Sequence, residues 1–220
     1  MSNFKNCSGL TFLLTSIFLS SNLRYSRKEN DLTIRIGIAG TGNIARGNYM
    51  PCLKAHKDIE LGYYNRAQKK ADKFAADFGG HVFASPSELV CWEPDAILVL
   101  TRENNRLEAA TALLEHKPKR LFFEKPLVAN NGQGDVQEQD FFDARILMEK
   151  ANACSCETAM VFNYRFFDQV MRAKQLISDR SFGPVINVAG LVHFACWSHV
   201  IDLVHFFAGP ISELTALENK

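Results

Sequence analysis

From Thr33 onward, short apolar runs alternate with longer amphipathic segments. This alternation is typical of β-α units, in which parallel strands form one sheet and helices cover its two faces. We predict strands over residues 33–39, 59–64, 81–83, 95–100, 120–124 and 157–163. We predict helices over residues 43–55, 66–78, 86–91, 103–116 and 138–153, with Pro51 kinking or splitting the first of them. Residues 33–163 should therefore form an α/β domain with a doubly wound parallel sheet.

The residues that follow, 164–220, predict the start of a second domain. They suggest a helix to about residue 178, a strand over about 185–194, a helix within HFACWSHVIDLVHFFAG and a last strand at ISELTAL. So few elements cannot bury their apolar faces alone. We therefore expect this second domain to be incomplete.

Residues 1–32 differ in composition from the rest of the chain. Lys5 precedes about ten mostly apolar residues, and serines and charged residues follow them. The apolar run is too short to span a bilayer, and no clear small-x-small cleavage site follows it. We interpret the segment as an N-terminal extension, or as the product of an upstream start codon, in preference to an export signal or anchor.

The charge balance argues against a polyanionic partner. The chain has 25 basic and 24 acidic residues, a formal net charge of +1 and no long block of either sign. Nucleic-acid binding usually requires a basic surface. The six cysteines do not form the dense pattern of a secreted disulfide scaffold. We therefore expect a cytoplasmic protein that binds a small molecule and has no nucleic-acid or membrane partner.

The segment IRIGIAGTGNIARGNYM contains a G-x-G-x-x-A pattern after a predicted strand and before a predicted helix, as a dinucleotide fingerprint requires. Gly40 permits the tight turn, Gly42 lets the backbone approach a pyrophosphate, and Ala45 lets helix and strand pack closely. Free backbone amides near the helix start would face the phosphates. They belong to Thr41, Gly42, Asn43 and Ile44. The pattern predicts a dinucleotide site in preference to a glycine turn without a ligand.

The end of the second strand indicates which dinucleotide is preferred. An acidic residue at that end would bind the ribose 2′-hydroxyl of NAD. Glu60 begins the strand, so it lies about 13 Å from the end at which ligands bind. The strand ends instead at Tyr64, Asn65 and Arg66, and Arg66 could pair with a 2′-phosphate. The sequence therefore favours NADP over NAD, although Arg66 as a solvated charge at the start of a helix is the alternative.

Four motifs, GIAGTGNIA, DAILVLT, FFEKPL and FNYRFF, occur in an order and spacing that resemble the Gfo/Idh/MocA oxidoreductases. The similarity runs from about Thr33 to the C-terminus, and EKP is its most diagnostic part. FNYRFF and HVIDLVHFFAG are most similar to the virulence-factor-like members. The resemblance implies a Rossmann domain, then a second domain built on a large, mostly antiparallel sheet through which the protein forms homo-oligomers. It also implies hydride transfer between a nicotinamide and a hydroxyl-bearing carbon of a sugar or cyclitol.

By this resemblance, Lys125 of EKP would lie beside the nicotinamide and the reacting hydroxyl and act as a catalytic residue, with Glu124 shaping the turn. A lysine at the C-terminal end of a parallel strand also lies where ligands bind, and an ordinary surface lysine is the alternative. Thr101 directly follows the fourth predicted strand and would contact the cofactor. The family usually continues with proline and later histidine, where this chain has Arg102 and Arg106. We therefore expect its contacts near the nicotinamide to differ.

The family's second catalytic element is an aspartate four residues before a histidine in an H-x-x-D motif. His199 and Asp202 match H-x-x-D, but the aspartate position holds Ala195, which can neither orient the histidine nor share its proton. At helical spacing His199, Asp202 and His205 form one polar stripe on a largely apolar helix. We predict a catalytic or substrate-binding role for His199. The alternative is a core histidine that is hydrogen-bonded to Asp202 or to the backbone.

Other polar groups near this helix suggest weaker hypotheses. Arg165 of FNYRFF could bind a substrate oxygen, as could Asp202, but an ion pair with Asp168 would engage Arg165 equally well. A metal site at His193, Cys196 and His199 is improbable because no fourth ligand is evident, so we predict no metal. Cys154 and Cys156 form C-x-C and should be packed, inert thiols.

These observations predict an NADP-preferring dehydrogenase or reductase that acts on CH–OH groups. The alternative is a catalytically impaired nucleotide-binding fragment or regulatory subunit. Ala195 and the short second domain favour that alternative.

Overall fold

The structure is a computed structural model in which residues 33–213 and 215 are described. The chain divides into two units, the first ending at Val161 and the second beginning at Phe162. The predicted N-terminal extension, residues 1–32, lies outside the described residues. No helix in the described part of the chain has the length and apolar character needed to cross a membrane.

The first unit is built on a six-stranded, fully parallel sheet of order β3-β2-β1-β4-β5-β6. The strands are β1 (Ile34–Ala39), β2 (Ile59–Tyr64), β3 (His81–Phe83), β4 (Ala96–Val99), β5 (Arg120–Phe123) and β6 (Glu157–Met160). The strand order reverses direction between β1 and β4, which is the switch point of a Rossmann sheet and the usual place for a ligand. The predicted doubly wound α/β fold is therefore confirmed.

The central strands form because they are apolar on both faces, as parallel strands covered by helices must be. All four residues of β4 are buried, and in β1 only Arg35 is partly exposed. One face of the sheet packs a core around Ile36, Ile38 and Tyr63. The other face packs a core around Ile97 and Leu113 of the following helix. These two cores fix the ends of the strands, from which the candidate site is built.

Helices cover both faces of the sheet. After β1 the chain forms a π-helical turn (Ala45–Tyr49) and then α1 (Met50–Leu53). The others are α2 (Gln68–Phe78), α3 (Pro86–Cys91), α4 (Glu103–Leu114) and α5 (Glu138–Ala153). Pro51 is the reason for the split, because its ring cannot donate to the preceding turn and clashes with it. The predicted kink at Pro51 is thus realised as a widened turn.

Local caps set the start of two helices at the predicted residue. At α3 the Ser85 hydroxyl accepts a 3.1 Å hydrogen bond from the Glu88 amide, and Pro86 follows as the first helical residue. At α5 the backbone amide of Gln137 donates to Asp140 in a capping box. Both arrangements satisfy amides that a helix leaves without partners.

The described part of the second unit contains helices, 3-10 turns and segments without regular secondary structure. It holds a 3-10 turn (Asn163–Phe166), α6 (Asp168–Asp179), a second 3-10 turn (Phe194–Cys196) and α7 (Trp197–Ala208). The predicted strand over 185–194 is wrong: residues 185–193 have no regular secondary structure, Ile186 is 95% exposed, and Phe194 begins the second 3-10 turn. Residues 211–213 and 215 of the last predicted strand are not strand either, and its other residues lie outside the described part.

The physical reason for the missing strand is a missing partner. A strand is stabilised by ladder hydrogen bonds, and the described residues of the second unit include no other strand with which 185–194 could pair. The antiparallel sheet implied by the family resemblance therefore stays a prediction.

Candidate active site in the Rossmann unit

The turn after β1 has the geometry that the glycine pattern predicts. Gly40 has φ of 103°, in the region that favours glycine, and a Cβ at this position would lie 2.7 Å from the Thr101 backbone nitrogen. Its amide donates a 2.9 Å hydrogen bond to the Tyr64 carbonyl. Gly40 therefore lets the end of β1 lie directly between the ends of β2 and β4.

The second glycine has open space in front of it. A Cβ at Gly42 would meet nothing within 4 Å, and Gly42, Asn43 and Ile44 are all exposed. Ala45 is fully buried, as close packing between helix and strand requires. An open, glycine-lined turn at the start of a helix fits the pyrophosphate of a dinucleotide, because free amides and the helix dipole both favour an anion there.

Asn65 ties the end of β2 to this turn. Its Nδ2 donates a 2.9 Å hydrogen bond to Thr41 Oγ1, and its Oδ1 accepts one from the Ala67 amide. Arg66 follows with an exposed guanidinium, whose Nη1 donates a 3.0 Å bond to Glu108 Oε2 on α4. Neither Asn65 nor Arg66 is acidic, so the end of β2 presents no carboxylate of its own.

Glu60 lies at the opposite edge of the sheet, as expected from its place at the start of β2. It pairs with Arg35 at 3.1 Å and with His81 at 2.8 Å. Burial opposes the ionisation of Glu60, but the hydrogen bonds from His81 and Arg35, with their charges, outweigh it and lower the pKa of the carboxyl. This acid therefore has a local partner network and is remote from the ribose position.

Thr101 supplies a polar atom without a visible partner. Its Oγ1 is buried and forms no hydrogen bond within the described part of the chain. Thr101 follows β4 and touches the position of Gly40, so this hydroxyl belongs to the same edge of the sheet. Buried hydroxyl groups in proteins are normally hydrogen-bonded, so a bound ligand could supply the partner of Thr101 Oγ1. The residues at this edge therefore fit a dinucleotide.

The turn that follows β5 carries Lys125, whose side chain is partly buried. The carboxylate of Glu124 lies behind it: Oε1 accepts a 2.6 Å hydrogen bond from Tyr49 Oη, and Oε2 accepts one of 3.2 Å from the Lys125 amide. Burial, reinforced by the Glu124 charge and hydrogen bond, raises the pKa of Tyr49 well above its ordinary value. Tyr49 therefore stays a neutral donor to Glu124.

Arg106 differs from what its sequence position suggests. Its side chain is not on the open side of the site; the residue is only 2% exposed and lies beneath the Lys125 turn. Nη2 donates a 2.6 Å hydrogen bond to the Thr101 carbonyl, and Nη1 donates to the Pro126 carbonyl. Burial lowers the pKa of Arg106, and the Glu124 charge opposes this.

Sequence reasoning missed Tyr49 and the buried place of Arg106. A signal for the second exists: Arg106, Ala110 and Leu113 are spaced i, i+4, i+7 and so share one face of α4, and all three are buried. Because Gly40, Asn65, Thr101 and Lys125 follow adjacent parallel strands, the sheet places them at one edge.

In the second unit His199 is enclosed by aromatic rings. It is 5% exposed, stacks on Tyr164 with ring centroids 4.0 Å apart, and meets Phe162 edge-on at 5.9 Å. Tyr164 Oη is 3.5 Å from Cys196 Sγ. The hydrogen bond to Cys196 and burial raise the pKa of Tyr164. His199 therefore packs against two aromatic side chains.

Arg165 pairs with Asp202 and not with Asp168. Its Nε and Nη2 donate hydrogen bonds of 2.6 and 2.5 Å to the two carboxylate oxygens of Asp202. The Asp202 side chain is 4% exposed, whereas that of Arg165 is 36% exposed. This bidentate pair engages both residues that the sequence suggested for substrate binding.

The described residues also include cysteines and possible metal ligands. Cys154 and Cys156 are free thiols, and burial raises the pKa of Cys156 to about 12. Within residues 33–213 and 215, no group of three or more histidine, cysteine or acidic side chains is arranged to hold a metal ion.

Comparison with known proteins agrees with this geometry. Residues 34–139 match the model of a family described as "Oxidoreductase family, NAD-binding Rossmann fold". The chain is 30% identical over 161 residues to glucose-6-phosphate 3-dehydrogenase of Bacillus subtilis (strain 168), a match that covers 73% of this chain and 42% of that protein. The chain thus spans less than half the length of this relative.

Solved structures share the fold. The 3-ketoreductase KijD10 from Actinomadura kijaniata, solved with NADP and TDP-benzene, is similar with a TM-score of 0.55 and 22% identity over 69% of this chain and 44% of that one. Scyllo-inositol dehydrogenase from Lactobacillus casei, solved with NAD(H) and scyllo-inositol, has a TM-score of 0.63 and 18% identity over 80% of this chain and 56% of that one. The family match thus assigns residues 34–139 to the Gfo/Idh/MocA oxidoreductases, and the solved structures, at 22% and 18% identity, show the same fold.

Proposed function

We propose that the chain binds a nicotinamide dinucleotide at the C-terminal edge of its sheet. We further propose that the protein transfers a hydride between this cofactor and a hydroxyl-bearing carbon of a sugar or cyclitol. The observation that carries the proposal is the glycine turn, with Gly40 in a glycine conformation and open space at Gly42. Family membership supports the same cofactor class, because the family description names an NAD-binding fold.

Different residues of the chain are assigned to different parts of the cofactor. We assign the pyrophosphate to the turn around Gly42, because amides at a helix start favour anions. We assign the buried Thr101 hydroxyl to the cofactor as well, since it otherwise has no hydrogen bond in the described structure. Asn65 holds the turn to the end of β2 through Thr41.

Lys125 is the proposed proton-transfer residue. A bound nicotinamide supplies the hydride acceptor or donor at its C4. Oxidation of the alcohol would also release the hydroxyl proton, which Lys125 Nζ would accept; in the reduction, Lys125 would return a proton to the developing alkoxide. The position of Lys125 after β5, with Glu124 and Tyr49 behind its turn, supports this role.

His199, Arg165 and Asp202 enter the proposal as residues of the second unit. The H-x-x-D pattern supports His199 as a second proton-carrying candidate. The Arg165–Asp202 pair leaves the partly exposed guanidinium as the group better able to meet a substrate oxygen. Replacing His199 by Gln tests the first role, because the amide keeps hydrogen bonding but cannot carry a proton.

Sugar-like substrates are supported by relatives. The curated relative is named for a sugar phosphate, and one structural relative was solved with a cyclitol. Both kinds of molecule carry secondary hydroxyls, which are the groups that hydride transfer to nicotinamide oxidises.

We propose NADP as the preferred cofactor. The exposed Arg66 guanidinium after β2 can form a bidentate pair with a 2′-phosphate. The acid that would select NAD is not at this end of the strand, since Glu60 pairs with Arg35 at the other edge.

The test has two stages. NADPH and NADH are titrated by their fluorescence, and oxidation or reduction is then assayed with a panel of sugars, sugar phosphates and cyclitols. Lys125→Ala should lower kcat by about 100-fold with little change in NADPH affinity. Lys119→Gln is the matched control, because Lys119 is an exposed lysine just before β5. Full activity in Lys125→Ala would refute the assignment.

A second function, nucleotide binding without turnover, is favoured by one observation. By the family resemblance, Ala195 stands at the position of an aspartate, and an alanine cannot orient His199. This function predicts tight NADPH binding, no turnover across the panel, and no gain of activity in Ala195→Asp. A gain in Ala195→Asp would instead indicate an oxidoreductase that lacks one catalytic carboxylate.

A further inference from the structure

The burial of Arg106 in the first unit is not explained by the glycine fingerprint or by the Lys125 turn. It is 2% exposed, although it lies near the start of a surface helix, α4. An arginine is rarely buried to this extent without partners that compensate the loss of hydration. Its contacts therefore indicate what the burial achieves.

The guanidinium of Arg106 joins two separate loops. Nη2 donates a 2.6 Å hydrogen bond to the carbonyl of Thr101, in the loop after β4. Nη1 donates to the carbonyl of Pro126, in the loop after β5. Both loops begin at the edge of the sheet where the dinucleotide is proposed to bind, and Pro126 directly follows Lys125. One planar group thus fixes the spacing between the two loops.

The other side of the same turn is held through Glu124. Its carboxylate accepts hydrogen bonds from Tyr49 Oη at 2.6 Å and from the Lys125 amide at 3.2 Å. The Glu124 and Arg106 charges are opposite in sign and interact. The residues that flank Lys125 are therefore both restrained, one through the Glu124 carboxylate and the other through the Pro126 carbonyl.

We propose that Arg106 is a positioning residue that sets the place of Lys125 by bridging the carbonyls of Thr101 and Pro126. The proposal rests on the proposed proton-transfer role of Lys125. It requires the two-pronged guanidinium and not only its charge, because a lysine ammonium is a single point on a flexible chain and cannot span two loops in the same way.

Two variants separate bridging from charge in the full chain. Arg106→Lys keeps the positive charge near Glu124 but loses the planar fork, whereas Arg106→Gln loses both. Arg145→Gln is the matched control, since the Arg145 side chain on α5 is 59% exposed and pairs with Glu149 of the same helix. Melting temperature and NADPH affinity are measured for each variant before any further comparison.

Hydrogen exchange tests the bridge without any substrate. In both Arg106 variants the amides of residues 124–129, apart from Pro126, which has none, should exchange at least about tenfold faster than in wild type, while those of β1 and β4 do not change. Arg145→Gln should match wild type throughout. Exchange within about twofold of wild type at 124–129 in both variants would overturn the proposal.

Kinetics test the consequence for Lys125. With a substrate from the panel, Arg106→Lys should lower kcat by about tenfold or more, with KM and the NADPH Kd changed by less than about threefold. Unchanged kcat would overturn the positioning role. A loss of NADPH affinity equal to the loss of kcat would also overturn it, because it would make Arg106 a cofactor-binding residue.

A measurement on the wild-type chain covers the case in which both variants fail to fold. With arginine labelled by ¹⁵N and proline carbonyls by ¹³C, the Arg106 Nη resonances should show slow exchange and a coupling across the hydrogen bond to Pro126. A freely rotating guanidinium would overturn the proposal.

The two proposals fail separately: activity that is independent of Lys125 refutes the proposed function, whereas unchanged exchange at 124–129 refutes only the bridge.

Discussion

The guanidinium of Arg66 donates a 3.0 Å hydrogen bond to the carboxylate of Glu108, which links the end of β2 to α4. The two side chains are 72% and 69% exposed, so the pair is worth little in free energy. A 2′-phosphate would compete with Glu108 for the same guanidinium. Glu108 is therefore expected to moderate any preference for NADP.

This competition predicts opposite effects of two neutralising changes. Arg66→Gln should weaken NADPH binding by about tenfold, whereas Glu108→Gln should strengthen it by about 1.4- to fivefold, the range expected for an exposed ion pair of about 0.2–1 kcal/mol. NADH affinity should change little in both. Fluorescence titration at low and high salt measures these effects, and equal responses of NADPH and NADH to Arg66→Gln would contradict the NADP assignment.

The two fingerprint glycines should respond differently to alanine. Gly42→Ala should fold normally, because a Cβ there meets nothing within 4 Å, but NADPH affinity should fall by about tenfold or more, since the methyl group would lie where we propose that the pyrophosphate binds. Gly40→Ala should unfold at a lower temperature, because its φ is 103° and its Cβ would lie 2.7 Å from Thr101 N. Thermal melts and titrations separate the two effects, and NADPH binding unaffected by Gly42→Ala would count against the site.

Much of the first unit could be predicted from sequence, because local and tertiary signals agree there. The starts of α3 and α5 follow from caps at Ser85 and Gln137 that the chain itself supplies. β6 was predicted to extend to residue 163 but ends at Met160. Met160 is paired with Phe123, the last residue of β5, so the ladder has no partner beyond it.

Two features escaped prediction because they depend on distant residues. The role of Arg106 is set by carbonyls of two loops that are brought together only by the sheet. Residues 185–194 have a strand-like pattern, but pairing requires a neighbour strand, and the described second unit supplies none. Periodicity thus predicts a tendency to form a strand, whereas the ladder itself depends on tertiary structure.

Two buried tyrosines, one with and one without a hydrogen bond, allow the contribution of a buried hydroxyl to stability to be compared. Tyr63 is fully buried and its Oη makes no hydrogen bond in the described structure, so Tyr63→Phe should leave the free energy of unfolding unchanged or raise it. Tyr49 donates to Glu124 at 2.6 Å, so Tyr49→Phe should lower that free energy by about 1–3 kcal/mol, as for a hydrogen bond to a charged group. Urea unfolding measures both, and a clear loss in Tyr63→Phe would reveal a partner for its hydroxyl.

Thiol reactivity should follow burial. Cys91 is exposed, whereas Cys52 is 2% and Cys156 5% exposed, and burial raises the pKa of Cys156 to about 12. Because the thiolate is the reacting form, iodoacetamide at pH 8 should label Cys91 quickly and Cys52 and Cys156 only after unfolding. Mass spectrometry of timed samples locates the label, and rapid native labelling of Cys156 would contradict the packing around β6.

Acid should weaken the cluster at the far edge of the sheet. The pKa of Glu60 is lowered from its ordinary value of 4.5: burial opposes this, but hydrogen bonds and charges from His81 and Arg35 outweigh it. When the pKa of a carboxyl is lower in the folded than in the unfolded protein, its ionised form stabilises the fold. This stabilisation is complete above the pKa of the unfolded protein and is lost as the pH falls through the pKa of the folded protein. Because the Glu60 side chain is 32% exposed, the contribution should be about 1 kcal/mol or less.

Glu60→Gln isolates this contribution. At pH 7 the variant should unfold with a slightly smaller free energy than wild type, and the difference should shrink as the pH is lowered below about 4.5, where the wild-type carboxyl also becomes neutral. Glu115→Gln, an exposed position after α4, is the comparison variant. Urea unfolding between about pH 3 and pH 8 provides the measurement, because carboxyl groups usually titrate near the lower end of this interval. A difference that grows on acidification would mean that protonation, not ionisation, of Glu60 stabilises the fold.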